Sequence, residues 1–281
     1  MVSQKMKKKN TKQMFVRGLR KLHLLQLADN VRYLLSIKNT RYANHQFIKA
    51  HPDFNLPPSF LAYDAYGHTN WSVYYHSGIA HAKYICQLID ENLDTKDVSI
   101  CEWGCGPARI LRHIRSLQGK SNTQLSGFDY NPSSISWCQE NIDDITFMCN
   151  SVNPPLPCDA NAFDCLYNLS VFTHLSKKMH TDWIRELRRV VKPGGLIIFT
   201  THGDFFKFNL LEDELTDYEN GRLVVRGHIK EGKRCFVAYH PPNYIESELL
   251  KNGLEVISHF PGPALEDFPQ DVWVIRNNKP D

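Results

Sequence analysis

From about residue 97 onward, short apolar runs alternate with stretches whose apolar residues recur every three or four positions. Residues 98–102, 125–129, 145–149, 163–169 and 196–200 read as strands. Residues 108–117 read as a helix with Ile110, Leu111, Ile114 and Leu117 on one face. Residues 133–141 form a second helix. Ser176 can cap a third, whose buried face is Met179, Trp183, Leu187 and Val190. Pro193-Gly194-Gly195 closes it. Strand, helix, strand at this spacing predicts an α/β domain with a parallel sheet and crossover helices. After Thr201 the period changes. Residues 222–229 and 234–239 flank Glu231-Gly232 and predict a hairpin. A short helix is expected over 243–252, then strands over 254–259 and 271–276.

The front of the chain reads differently. Residues 1–12 have no periodicity. From Met14 to Leu35 a helical stripe appears through Phe15, Leu19, Leu22, Leu27, Val31 and Leu34, with Arg17, Arg20, Lys21 and Arg32 among them. Residues 50–70 read as irregular, because Pro52, Pro57 and Pro58 interrupt helices. A helix is expected over 78–93. This predicts a basic N-terminal arm and helical lid over 1–95, and a core over 96–281 with a hairpin insertion at about 203–240.

Charge sharpens that division. The net charge is only +3, yet residues 1–50 hold 12 Lys or Arg and one acid, Asp29. That segment is therefore +11 and the remainder −8. A basic amphipathic segment can pack as a lid or lie on an anionic membrane. No apolar run reaches the roughly 20 residues of a membrane span. No cleavable leader is readable, and a cytoplasmic protein is the expectation, with lid packing of the basic helix preferred and peripheral contact with an anionic membrane as the alternative. The eight cysteines form no C-x-x-C pair, which disfavours zinc and fits reduced thiols.

The chemistry concentrates in residues 98–109, Val-Ser-Ile-Cys-Glu-Trp-Gly-Cys-Gly-Pro-Ala-Arg. An apolar strand leads into a Gly-x-Gly turn and then a helix. Gly104 and Gly106 let the backbone approach a ligand without a Cβ between. Asp129 ends the next strand, where a carboxylate can accept from both hydroxyls of a ribose. A nicotinamide-dinucleotide site would need a third glycine where Arg109 stands. No Gly-Lys-Ser/Thr follows, so this is not a Walker loop.

Glu-x-Gly-Cys-Gly-Pro-x-Arg followed by Phe128-Asp129-Tyr130-Asn131 resembles the class I S-adenosylmethionine (SAM)-dependent methyltransferases. Residues 150–157, 163–164 with 170–175, 186–195 and 270–274 agree with the same family in order. The resemblance implies a Rossmann-like, doubly wound, mostly parallel seven-stranded sheet with helices on both faces. It implies SAM as cofactor and no metal. By position, Glu102, Gly104, Cys105 and Gly106 would line the methionine portion and Asp129 would bind the ribose. Tyr130, Asn150 and Ser151 would flank adenine, and Asn168 and Leu169 would approach the sulfonium. The family often has an acid where Asn150 stands.

The acceptor is less legible. Asn153-Pro154-Pro155-Leu156 lies after the third strand and lacks an aromatic, so it is not the motif of nucleic-acid amino-methyltransferases. A small molecule, sugar or lipid-linked glycan is the expected acceptor. An RNA or protein recruited by the basic arm is the alternative, and a SAM-binding protein without catalysis is a third. Tyr63, Tyr66, Tyr75 and His240 are candidate substrate contacts. His174 and His202 follow the fourth and fifth strands, where ligand crevices open, and are candidate proton acceptors.

Overall fold

A computed structural model describes residues 25–118, 122–227, 230–250, 253–263 and 268–280. Five strands follow in parallel order: β1 (Asp97–Trp103), β2 (Asn122–Asp129), β3 (Thr146–Cys149), β4 (Phe163–Asn168) and β5 (Val191–Thr201). Two further sheet strands, β8 (Leu254–Phe260) and β9 (Asp271–Asn277), complete a seven-stranded sheet in the order β3-β2-β1-β4-β5-β9-β8. β9 runs antiparallel to both neighbours. Between them in sequence, β6 (Val224–Arg226) and β7 (Val237–Tyr239) pair separately.

β1 pairs on one side with β2 and on the other with β4, so the strand order reverses there. A crevice opens beyond the carboxyl ends of such a pair. The strands read as apolar runs because both faces are covered. Ile100, Leu196, Ile198 and Val274 face one core, and Cys101, Ile197, Phe199 and Trp273 face the other. The first core receives helices α3 (Trp71–Asn92), α4 (Leu111–Leu117) and α5 (Pro132–Asn141). The second receives α6 (Lys177–Val190) through Met179, Trp183, Leu187 and Val190. Ser176 caps α6, accepting from the Met179 amide.

Several elements depart from the sequence reading. α3 begins at Trp71, seven residues before the expected Gly78, because the Asn70 side chain caps it by accepting from the Val73 amide at 3.1 Å. Residues 50–70 are not wholly irregular. Ser59–Tyr66 forms helix α2 directly after Pro58, a residue compatible with a helix start, and Gly67 ends it at φ 74°. α4 starts at Leu111 rather than Ala108, whose φ of 51° is not helical. The stretch 242–249 is a single helical turn, Pro242–Tyr244, continued by a wider π turn. The hairpin is shorter than expected. Glu231 and Gly232 leave it to brace the sheet: Glu231 accepts from the Ser176 amide at 2.7 Å, and the Gly232 amide donates to the His174 carbonyl.

At the front, helix α1 spans Leu25–Ala50, well past Leu35. The part of the expected helix before Leu25, and the aperiodic residues 1–12, lie outside the described residues. α3 shares a core cluster with β1, so packing is continuous across residue 95. Among the described residues no helix is long and apolar enough to cross a membrane. All eight cysteines are free thiols.

One polar contact ties three strands together at the sheet's amino edge. Asp164 on β4 accepts from the Ser99 amide and hydroxyl on β1 at 2.8 and 2.6 Å, and from the Lys192 ammonium on β5 at 2.9 Å. Partial burial alone would raise this carboxyl, but the Ser99 and Lys192 donors hold it below the ordinary aspartate value. Asp164→Asn should lower the unfolding free energy by about 1–3 kcal/mol in urea titrations near neutral pH. The loss should shrink in acid. A depressed carboxylate stabilises above its unfolded pKa, and that stabilisation disappears as pH falls through the folded one.

Candidate active site

The crevice beyond β1 and β4 holds a cavity of about 660 Å³. Its floor is the glycine turn. Gly104 and Gly106 have φ of 79° and 50°. A Cβ on Gly104 would come 2.4 Å from Val171, and one on Gly106 3.0 Å from Ala65. The turn is held from beneath, where the Gly104 and Cys105 amides both donate to the Phe128 carbonyl. It is held from the side, where Gly106 donates to Asp129 Oδ2 at 2.8 Å. It is held from above by two tyrosines. Tyr66 donates to the Cys105 carbonyl and accepts from the Arg109 amide, and Tyr74 donates to the Pro107 carbonyl at 2.7 Å.

Asp129 also accepts from the Asn131 amide on Oδ1 at 2.8 Å. Each carboxylate oxygen thus has one backbone donor and retains capacity for another. Burial raises this carboxyl to about 6, against the pull of those donors. Glu102 receives both its hydrogen bonds on Oε2, from Tyr167 at 3.0 Å and the Leu111 amide at 3.1 Å. Burial pushes it to about 8. A cation placed against it would recover the ionised form. Trp103 and Trp183 pack with ring centroids 4.2 Å apart, tilted by 32°, along one wall, and Trp183 Nε1 donates to the Val152 carbonyl.

Glu102, Gly104, Gly106, Asp129, Tyr130, Asn150, Ser151, Leu169, Tyr66 and His174 all line this one cavity. Cys105 and Asn168 do not. Cys105 is buried behind the turn with its thiol toward the Gly106 carbonyl. Asn168 is fully buried at the end of β4, and neither amide atom has a partner. Tyr63 lies outside the cavity, where its hydroxyl meets Asp29 on α1 and its ring lies under Arg234. Tyr75 packs among Phe47, His51 and Phe54 in the front cluster. His202 packs against Phe206 and Tyr239 and bonds the Ala238 carbonyl. His240 is buried beside His180, with ring nitrogens 3.4 Å apart.

Other wall residues carried little or no sequence signal. His81 interrupts the apolar face of α3 and meets the Phe268 ring edge-on. Arg234 reaches the wall from the connection between β6 and β7. Ser170, Thr200 and Gln270 close a hydrogen-bonded ring across β4, β5 and β9, with Ser170 at φ 63°. Only strand order brings those three together. Arg109, unexpected in a dinucleotide turn, lies over the Tyr66 ring and donates to Ser77 at 2.6 Å.

Residues 100–195 match the sequence model of the methyltransferase-domain family. Residues 100–195 are a methyltransferase domain, and the fold around them is that of the SAM-dependent class. A tRNA N(3)-methylcytidine methyltransferase of Schizosaccharomyces pombe, trm140, is 27% identical over 158 residues, half of this chain. The match spans 52% of that relative's length. Three solved structures agree in fold. A chain from the complex between the Haloferax volcanii Trm112 methyltransferase activator and a putative methyltransferase aligns over 80% of this chain and all of its own, with TM-score 0.51 and 16% identity. A putative SAM-dependent methyltransferase from Listeria monocytogenes covers 72% and 100%, with TM-score 0.51 and 13% identity. The glycopeptide N-methyltransferase MtfA with S-adenosylhomocysteine covers 70% and 90%, with TM-score 0.50 and 12% identity.

SAM is the cofactor of this methyltransferase, and the cavity has the chemistry to hold it. Asn150 Oδ1 is a buried acceptor with no partner, as an adenine amine requires. Asp129 presents two oxygens suited to a ribose diol, and Glu102 favours a nearby ammonium. Gly106→Arg should abolish SAM binding in calorimetry by filling the turn. Asp129→Ala should weaken it at least about tenfold, the loss of two charge-assisted hydrogen bonds. Because diol binding favours the ionised carboxylate, wild-type affinity should fall as pH drops through about 6. Asp129→Asn should remove that inflection.

Proposed function

We propose that the chain methylates an oxygen or nitrogen of a small molecule, sugar or lipid-linked glycan, with His174 as proton acceptor. SAM supplies an electrophilic methyl group on a sulfonium. The protein must hold the nucleophile in line, roughly 3–3.5 Å from the methyl carbon, and take its proton.

The carrying observation is the environment of His174. This residue follows β4 in a short 3₁₀ turn, Phe172–His174, and its side chain lines the cavity. Its Nδ1 lies 2.7 Å from the Phe236 carbonyl. A carbonyl only accepts, so Nδ1 carries the proton and Nε2 of the neutral ring is bare. Burial lowers the ring's pKa and keeps it neutral. His202 has the same tautomer by the same argument, but it is outside the cavity. That difference supports His174 over His202, which have equal claims from sequence.

The small-acceptor reading draws support from charge. Of the two arginines that line the cavity, Arg234 is matched with Asp29 and Arg109 is spent on the Tyr66 ring and Ser77, while Lys233 beside Arg234 is matched with Asp64. Phosphate backbones are held by cations free to displace counterions. The likeness to a tRNA methyltransferase favours a second reading, RNA methylation, with the basic front as its anchor.

His174→Ala should lower turnover about 100-fold or more while leaving SAM affinity near wild type, and His202→Ala should leave turnover near wild type. Near-normal rates in His174→Ala across pH would overturn the assignment. With tritiated SAM, label should enter the small-molecule fraction of a cell extract. Label confined to tRNA would replace the small-acceptor reading with the RNA one.

A further inference from the structure

Helix α1 is mounted with its polar side inward. Asp29, Tyr33, Ser36, Thr40 and Asn44 recur every three or four residues and make its contacts with the body, and Phe47 ends the same row buried against Trp71 and Tyr74. Ser36 and Thr40 bond the Thr69 hydroxyl at 2.8 and 2.9 Å. Asn44 donates to the Thr69 carbonyl at 2.7 Å and accepts from the Trp71 amide at 2.9 Å. Asp29 takes both carboxylate bonds from Arg234 at 2.6 Å. The opposite face is apolar. Leu27, Val31, Leu34 and Leu35 follow at i, i+4, i+7 and i+8 and are 60, 50, 64 and 51% exposed. In an ordinary surface helix these faces are reversed. Four large aliphatic side chains on one outward stripe gain nothing from folding.

The same stripe continues into cations. Lys38, Arg41 and Lys49 occupy the next turns of that face, and all are exposed. They have no ion pair among the described residues. The one acid in residues 1–50, Asp29, is turned inward and paired with Arg234. Residues 1–24 carry eight Lys or Arg and no acid.

We infer that α1 docks this chain on an anionic lipid surface, with Leu27, Val31, Leu34 and Leu35 in the acyl boundary and Lys38, Arg41 and Lys49 against headgroups. Charge and apolarity together select this occupant. A second copy would bring two +11 segments face to face, a repulsive approach. RNA would engage the cations and leave the leucines in water. An anionic bilayer takes both, by aliphatic burial and by attraction of each basic residue.

The test is co-sedimentation of the full chain with vesicles of phosphatidylcholine alone or mixed with phosphatidylglycerol. Wild type should bind only the mixed vesicles, and salt should weaken it. Leu27→Gln with Leu34→Gln should bind at least about tenfold more weakly, as should Lys38→Glu with Arg41→Glu. Both pairs point outward, so thermal unfolding and SAM binding should match wild type and separate a docking defect from a folding defect. Absence of binding to the mixed vesicles overturns the inference, as does a leucine double variant that binds like wild type. Sedimentation equilibrium showing a dimer that the leucine variant dissolves, with vesicle binding intact, assigns the face to a second copy and overturns it too.

Discussion

The site depends on a buried carboxylate that organises a backbone turn. Asp129 ends β2 and accepts from the Gly106 amide, 23 residues earlier in the chain. That bond crosses between adjacent strand ends and sets the height of the glycine turn over the sheet. It also commits one lone pair of each oxygen, with Asn131 holding the other oxygen. A carboxylate buried without donors would be costly. Here the protein satisfies half its capacity with backbone donors, and the residue also lines the cavity, so the fold and the candidate cofactor site share one group.

The front of the chain serves the same turn from the other side. Tyr66 and Tyr74 reach the carbonyls of Cys105 and Pro107. Gly78 on α3 lets the helix approach the turn so closely that a Cβ would meet the Arg109 carbonyl at 2.3 Å. The tyrosines therefore shape the cavity mainly through the backbone of the glycine turn. The connection between β6 and β7 completes the roof. Tyr130 donates to the Gly232 carbonyl, and Arg234 joins this loop to α1 and Tyr63.

Four histidines crowd the region behind the roof, and they differ in solvent and cavity access rather than in chemistry. His180 bonds the Phe172 carbonyl at 2.8 Å and has its pKa lowered by burial to about 4. His202 is lowered to about 3 by burial and by His174 nearby. His240 is buried against His180, and burial holds it well below the usual imidazole value. These rings pack neutral and fill space between the sheet and β7. Only His174 also faces the cavity. The same residue type thus supplies both core packing and a candidate base, decided by a few ångströms of placement.

The sequence by itself determined the sheet, its parallel strands and the cofactor turn. Those follow from local period, from glycines that permit positive φ at 104 and 106, and from an acid at the next strand end. They are legible because each is set by neighbours close in sequence. It also exposed the unequal charge of the two ends. Tertiary structure decided the rest. Asn70 as a cap moved the start of α3, and packing folded residues 59–66 into a helix where prolines suggested none. The faces of α1 could not be assigned from its pattern, because an apolar stripe normally turns inward and here Thr69 and Arg234 drew the polar side. Ser170, Thr200 and Gln270 meet only because β4, β5 and β9 are neighbours. His174 and His202 parted for a similar reason: both follow strands at the crevice, and only the packing around them left the first against the cavity and the second against Phe206 and Tyr239.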